Sequence, residues 1–147
     1  MARRERRGSV LVDSGAWIAL FSARDQHHTD ADDLFRRAVR EQTPLLTTNL
    51  VLAEVHRLLL FRAGIPAAAT AIDRIEASPR VRIVFPTASH HAAARGWISR
   101  LGDQRITYTD AVSFAVMESE PCAAVLGFDR DFALAGFRFW GRMRSPR

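Results

Sequence analysis

Two acidic side chains stand directly after short apolar runs. Asp13 follows Val10-Leu11-Val12, and Asp129 follows Ala124-Val125-Leu126 across a Gly127-Phe128 turn. Two further acids lie inside apolar helical patterns. At helical spacing Glu54 neighbours Leu50, Val51, Arg57 and Leu58, mostly apolar, and Asp110 shares a face with Ser113, Phe114 and Met117. A carboxylate turned toward a protein interior is costly unless a partner compensates its charge. Each acid alone has a structural explanation. Asp13 could cap a helix starting at Ser14, and Asp129 could cap the helix after it. Asp110 falls in a first helical turn, where the dipole favours negative charge. Glu54 could pair with Arg57 or a remote arginine. Taken together, two acids at strand ends and two on inward helix faces point to a metal centre. Clustered hard oxygen ligands select Mg²⁺ or Mn²⁺. Carboxylates holding such ions are a common means of hydrolysing phosphodiesters.

Other chemistries find little support. All 21 basic residues are arginine, so mechanisms that need a lysine, including P-loop NTPases and Schiff-base enzymes, are excluded. The histidines His27-His28 and His90-His91 are adjacent pairs, which do not face one site on a helix. No His-x3-His or Cys–His zinc spacing occurs. His56 lies roughly 200° around its helix from Glu54, away from that pocket. The lone Cys122 sits in an apolar run and reads as a small buried strand residue in a reducing, cytoplasmic setting.

The elements that must hold these acids alternate along the chain. Strands are expected at 9–12, 44–47, 81–85, 122–126 and 137–140. Helices are expected at 14–21, 28–40, 50–63, 66–77 and 87–101, with one ending at 118 and a short one at 129–134. Thr48 or Asn49 caps the third helix, Gly64 ends it, and Thr107 or Thr109 caps the helix carrying Asp110. Asp32–Arg36 and Asp33–Arg37 form a charge-paired outer face on the second helix. Alternation of this kind predicts a three-layer α/β/α sandwich around a central, mostly parallel sheet. In such folds ligands bind at the carboxyl ends of the strands, where strand order reverses. Asp13 and Asp129 are both at such ends.

With 147 residues, 48% of them hydrophobic and 25% charged, the chain is one domain's worth with enough apolar surface for a core. A basic tail is expected over 1–8, the domain over 9–140, and a second basic tail over 141–147. Both tails read equally as solubilising segments or as grips on RNA phosphates. The net charge of +5 suits a polyanionic partner. No apolar run is long enough to span a bilayer, and the apolar run after the basic start is too short for a signal peptide.

Four segments carry a resemblance: Val12-Asp13-Ser14-Gly15-Ala16-Trp17, Thr48-Asn49-Leu50-Val51-Leu52-Ala53-Glu54, Tyr108-Thr109-Asp110-Ala111-Val112-Ser113, and Phe128-Asp129-Arg130-Asp131-Phe132. In this order and spacing the chain resembles the PIN-domain nucleases, and among them the VapC-type toxins of bacterial toxin–antitoxin pairs. The resemblance covers nearly all of the chain from Ser9 to Trp140. It implies a PIN-like fold, an endoribonuclease dependent on Mg²⁺, with Mn²⁺ able to substitute, toxicity by RNA cleavage, and a cognate antitoxin. It also favours a homodimer. The family's acids fall on Asp13, Glu54, Asp110 and Asp129, with Ser14 and Thr109 as supporting hydroxyls. Asp13, Asp110 and Asp129 would ligate the metal. Glu54 would complete the cluster or deprotonate the attacking water. The chain departs from the pattern at Leu126-Gly127-Phe128-Asp129, where relatives often carry Thr or Ser, so a supporting hydroxyl is missing. Asp131 competes with Asp129 as fourth acid; Asp129 is preferred as closer to the strand end. The rival readings are a Mg²⁺-dependent phosphatase or phosphotransfer domain, disfavoured by the missing lysine, and a non-catalytic nucleic-acid-binding module. Trp17, Ile18, Leu20 and the segment 58–61 exceed what a small core needs, so part of them is expected to serve a dimer or antitoxin contact.

Overall fold

The computed structural model describes residues 8–141. Within it, β1 (Ser9–Val12), β2 (Leu45–Thr48), β3 (Val81–Val84) and β4 (Cys122–Leu126) form one parallel sheet in the order β3-β2-β1-β4. Parallel neighbours require crossovers, and helices supply them. Helices α1 (Ser14–Phe21) and α2 (His28–Arg40) join β1 to β2, α3 (Asn49–Ala63) and α4 (Ile65–Ala77) join β2 to β3, and α5 (Ala88–Arg100) and α6 (Tyr108–Ser119) join β3 to β4. A single turn, α7 (Asp131–Leu134), follows.

The strand residues explain the layering. Side chains alternate between the faces of a strand. Val10 and Val12 of β1 and Leu126 of β4 face a core shared with α1 to α4, whereas Leu11 and Val125 face one built with α5, α6 and Phe132 of α7. Val10, Leu11 and Val12 are all essentially inaccessible, as expected for a strand covered on both faces. The architecture is the three-layer α/β/α sandwich expected from the alternation. From β1 the chain steps outward through β2 and β3, then returns to place β4 on the other side of β1. The reversal point therefore lies between β1 and β4, where Asp13 and Asp129 emerge.

Local signals act as anticipated at several joints. Thr48, not Asn49, caps α3 by accepting from Val51 N at 3.1 Å, and Thr107 caps α6 by accepting from Asp110 N at 3.1 Å. Gly64 ends α3 with φ of 95°, a conformation that L side chains rarely adopt. Three expectations need correction. The segment 137–140 forms only one bridge, Val125 with Phe139, because the chain meets the sheet edge at a single point between the positive-φ Gly136 and Gly141. The short helix begins at Asp131, since the Asp129 carboxylate accepts Asp131 N at 2.9 Å and keeps Asp129 outside it. Arg36 pairs with Asp32 as expected, but Arg37 turns to Glu41 at 3.0 Å and leaves Asp33. The basic tails lie outside the described residues, apart from Gly8 and Gly141. Among the described residues no helix is long and apolar enough to cross a membrane.

Candidate metal centre

Asp13 is fixed by backbone contacts on three sides. Its N–H donates to Leu126 O of β4 at 3.1 Å, and its carbonyl accepts from Ala16 and Trp17 of α1. It occupies the N-cap position of α1, yet its side chain makes no capping hydrogen bond to that helix's later amides. The side chain is buried, and Oδ1 has no hydrogen-bond partner. Burial pushes the Asp13 carboxyl up to about 7; the Ser14 backbone N–H opposes this, while Glu54, Asp129 and Asp131 push the same way. The capping explanation for Asp13 therefore does not account for its buried charge.

Asp110 lies in the first turn of α6 and is only 5% exposed. Burial first, then the charges of Asp13, Asp129 and Glu54, raise its carboxyl to about 8. The favourable helix N-terminus does not outweigh these effects. Glu54 projects from α3, half-buried, and Oε1 accepts the Ser14 hydroxyl at 3.0 Å. Asp129 is exposed and Asp131 half-buried. Partial burial and then Asp129 raise the Asp131 carboxyl, partly offset by Arg130.

Asp110, Asp129 and Asp131 each bring a carboxylate oxygen within 4.8 Å of the other two. Asp13 and Glu54 stand outside this tight group but close enough for their charges to act on it. The five acids thus converge at the carboxyl edge of the sheet, from β1, α3, α6 and the turn into α7. Asp131 belongs to the tight group as fully as Asp129, so proximity does not choose between them. Among the described residues no arginine forms an ion pair with any of the five. Glu54 pairs with Ser14, not with Arg57. A buried, unpartnered oxygen beside several mutually repelling carboxylates fits a divalent cation bound by hard oxygen ligands.

Three contributors escape sequence reading. Gly127 approaches Asp13 so closely that an added Cβ would stand 3.2 Å from Asp13 Cβ. Its only signal is its position, where a hydroxyl residue is expected. Phe128 stacks on His27 with ring centroids 4.3 Å apart, beside Asp129. Arg57, read from the sequence only as a partner for Glu54, instead lines a cleft together with Glu54 and Thr109. The expected surplus of apolar residues divides. Trp17, Ile18 and Leu59 are core, whereas Phe61 is 80% exposed.

Comparison with known proteins agrees with this fold. The PIN domain family model matches residues 10–138. The 23S rRNA-specific endonuclease VapC20 of Mycobacterium tuberculosis, from strains CDC 1551 / Oshkosh and H37Rv, is 35% identical over 128 residues, covering 87% of this chain and 95% of the relative. The crystal structure of Mycobacterium tuberculosis VapC20, described as a sarcin-ricin loop cleaving toxin, superposes with a TM-score of 0.77 and 35% identity. That match covers 88% of this chain and 96% of the other.

Proposed function

The chain belongs to the PIN-domain family, and from that premise we propose that it is a divalent-metal-dependent endoribonuclease, the toxin of a toxin–antitoxin pair. The observation that carries this reading is the buried Asp13 carboxylate, its Oδ1 without a hydrogen-bond partner, beside the Asp110, Asp129 and Asp131 cluster, with no arginine paired to any of them among the described residues. A similarity of 35% over nearly the whole of a 23S rRNA-specific endonuclease makes ribosomal RNA the first substrate to test.

Asp13, Asp110 and Asp129 are the proposed ligands of Mg²⁺, with Mn²⁺ able to replace it, and Asp131 adds negative charge beside them. The bound ion would lower the pKa of water and stabilise charge developing on the phosphate oxygens. Glu54 has one oxygen occupied by the Ser14 hydroxyl. Its Oε2 is left to orient the attacking water and take its proton. Asp13, held by β4 and α1, fixes the cluster against the rigid centre of the sheet. The proposed products carry 5′-phosphate and 3′-hydroxyl ends.

The partners proposed with this reading are RNA, an antitoxin and a second copy of the chain, in the cytoplasm. Support for the antitoxin is a groove of about 370 Å³ whose lining includes Trp17, Leu20, Phe21 and Val39 together with Arg74 and Arg80. Support for a homodimer is the exposed Phe61 and Ile65 at the junction of α3 and α4.

The purified protein, incubated with total and ribosomal RNA, should cleave in Mg²⁺ and stop in EDTA. Asp13→Ala and Asp110→Asn should be inactive while keeping a native circular dichroism spectrum. Cleavage in EDTA, or wild-type rates from either variant, would overturn the mechanism.

A further inference from the structure

Glu54 and Arg57 lie three residues apart on α3, a spacing at which opposite charges usually pair. Here Glu54 is held by Ser14 at 3.0 Å, and Arg57 has no ion pair among the described residues. Arg57 is exposed and lines a cleft of about 420 Å³ between α3 and the start of α6. Glu54, whose charge acts on Asp13 and Asp110, is also in its lining. Leu50 and Leu58 give the cleft an apolar wall, and Thr107, the cap of α6, and Thr109 of its first turn line the other side. Arg57 is the only cation in this lining.

A cleft with one cation, two hydroxyl side chains and an apolar wall matches the parts of a nucleotide: its phosphate, its sugar and the face of its base. Its volume is in the range that holds a small organic ligand. The acid cluster repels phosphates until a cation neutralises it, so RNA needs a positive contact beside the reacting centre. We propose that this cleft is an RNA subsite for the nucleotide adjoining the cleaved phosphodiester. Arg57 binds that nucleotide's phosphate, Thr107 and Thr109 face its sugar, and Leu50 and Leu58 pack against its base. The proposal rests on the ribonuclease reading given above. Arg57 acts as a positioning residue. Its contribution is to ground-state and transition-state binding alike, so it sets KM more than kcat.

The test uses the full chain with a 5′-labelled, single-stranded oligoribonucleotide of mixed sequence. In Mg²⁺, Arg57→Ala should raise KM about tenfold, the size of one charge-assisted phosphate contact, and leave kcat nearly unchanged. Arg57→Lys should recover part of the loss. Binding is measured separately on the Asp110→Asn chain as a function of salt. There, adding Arg57→Ala should lower the slope of log affinity against log salt by about 0.7, one single-strand phosphate contact. Arg62→Ala, on the same helix but outside the cleft, should change neither quantity. An unchanged KM and slope for Arg57→Ala, or an equal loss from Arg62→Ala, would overturn the subsite. If the wild-type chain cleaves no RNA, the ribonuclease reading fails. The salt slope on the Asp110→Asn chain then still decides whether Arg57 contacts a phosphate.

Discussion

The Ser14 hydroxyl donates to Glu54 Oε1 at 3.0 Å, joining the residue after Asp13 to the middle of α3, forty positions away. The contact ties together two elements that lie on the same face of the sheet. Asp13 and Ser14 leave the end of β1, while Glu54 approaches from the helix that follows β2. Removing the hydroxyl frees Glu54 to swing toward Arg57 at i+3. Ser14→Ala is therefore expected to cut kcat about 10- to 100-fold, the usual cost of losing a group that orients a site residue. Ser14→Thr keeps the hydroxyl and should restore most of the rate. Single-turnover cleavage with matched thermal melts separates this from unfolding. An alanine variant as active as wild type would remove Ser14 from the machinery.

Gly127 presses on Asp13 from just past the end of β4. A methyl there would meet Asp13 Cβ at 3.2 Å and lie 3.9 Å from Oδ2. The backbone of Asp13 cannot yield easily, because its amide is bonded to Leu126 O. The side chain must move instead. Gly127→Ala should cost about 1 kcal/mol of stability by overpacking. It should lower activity far more than that loss of folded protein explains, with a weaker apparent affinity for Mg²⁺ in titrations of the cleavage rate. Equal losses in stability and activity, with unchanged metal dependence, would refute this account.

The buried carboxylates also make stability depend on pH. Burial and mutual repulsion raise Asp13 to about 7 and Asp110 to about 8, above the ordinary value of 3.8 for an aspartate. Between those limits the folded, metal-free protein holds more protons than the unfolded chain. Stability is then fully present at low pH and lost as pH rises through the folded pKa values. In EDTA the melting temperature should fall between pH 5.5 and 8.5. Mg²⁺ favours the charged forms, so it should raise the melting temperature more at pH 8.5 than at pH 5.5. Scanning calorimetry with and without the ion reads both slopes. A melting temperature that climbs with pH in EDTA would contradict the burial argument.

The sheet and its crossovers were legible in the sequence because apolar runs, caps and breakers agree at each element. Val10-Leu11-Val12 reads as a strand buried on both faces, and Thr48, Gly64 and Thr107 mark helix ends by local chemistry. The acids were legible because a carboxylate after a buried strand or on an apolar helix face is out of place. What escaped depends on contacts between distant segments. Glu54 chose Ser14 over Arg57 because β1 and α3 meet at the edge of the sheet, which spacing along α3 does not reveal. Gly127 matters through its approach to Asp13, more than a hundred residues away in sequence. The segment 137–140 has strand-like residues, but the sheet edge accepts it at a single bridge.

Asp129 and Asp131 share the cluster with Asp110 but carry different structural duties. Asp129 Oδ1 accepts Asp131 N, so it starts the α7 turn that seats the fully buried Phe132 against Phe114. Among the described residues the Asp131 side chain has no such hydrogen bond to the backbone. Asp129→Ala removes charge and cap together, and should lose about 1 kcal/mol of stability as well as activity. Asp129→Asn keeps an acceptor for Asp131 N, so stability should return while cleavage stays low if Asp129 is a metal ligand. Asp131→Asn should fold normally, and its cleavage rate tells whether that carboxylate is needed. The expected order of residual activity is Asp131→Asn above Asp129→Asn, because Asp129 follows β4 more closely along the chain and its charge weighs more on Asp13 and Asp110 than that of Asp131. Cleavage rates at saturating Mg²⁺, set beside urea melts, resolve the pair. Full activity in Asp129→Asn with none in Asp131→Asn would reverse the assignment and make Asp131 the fourth acid.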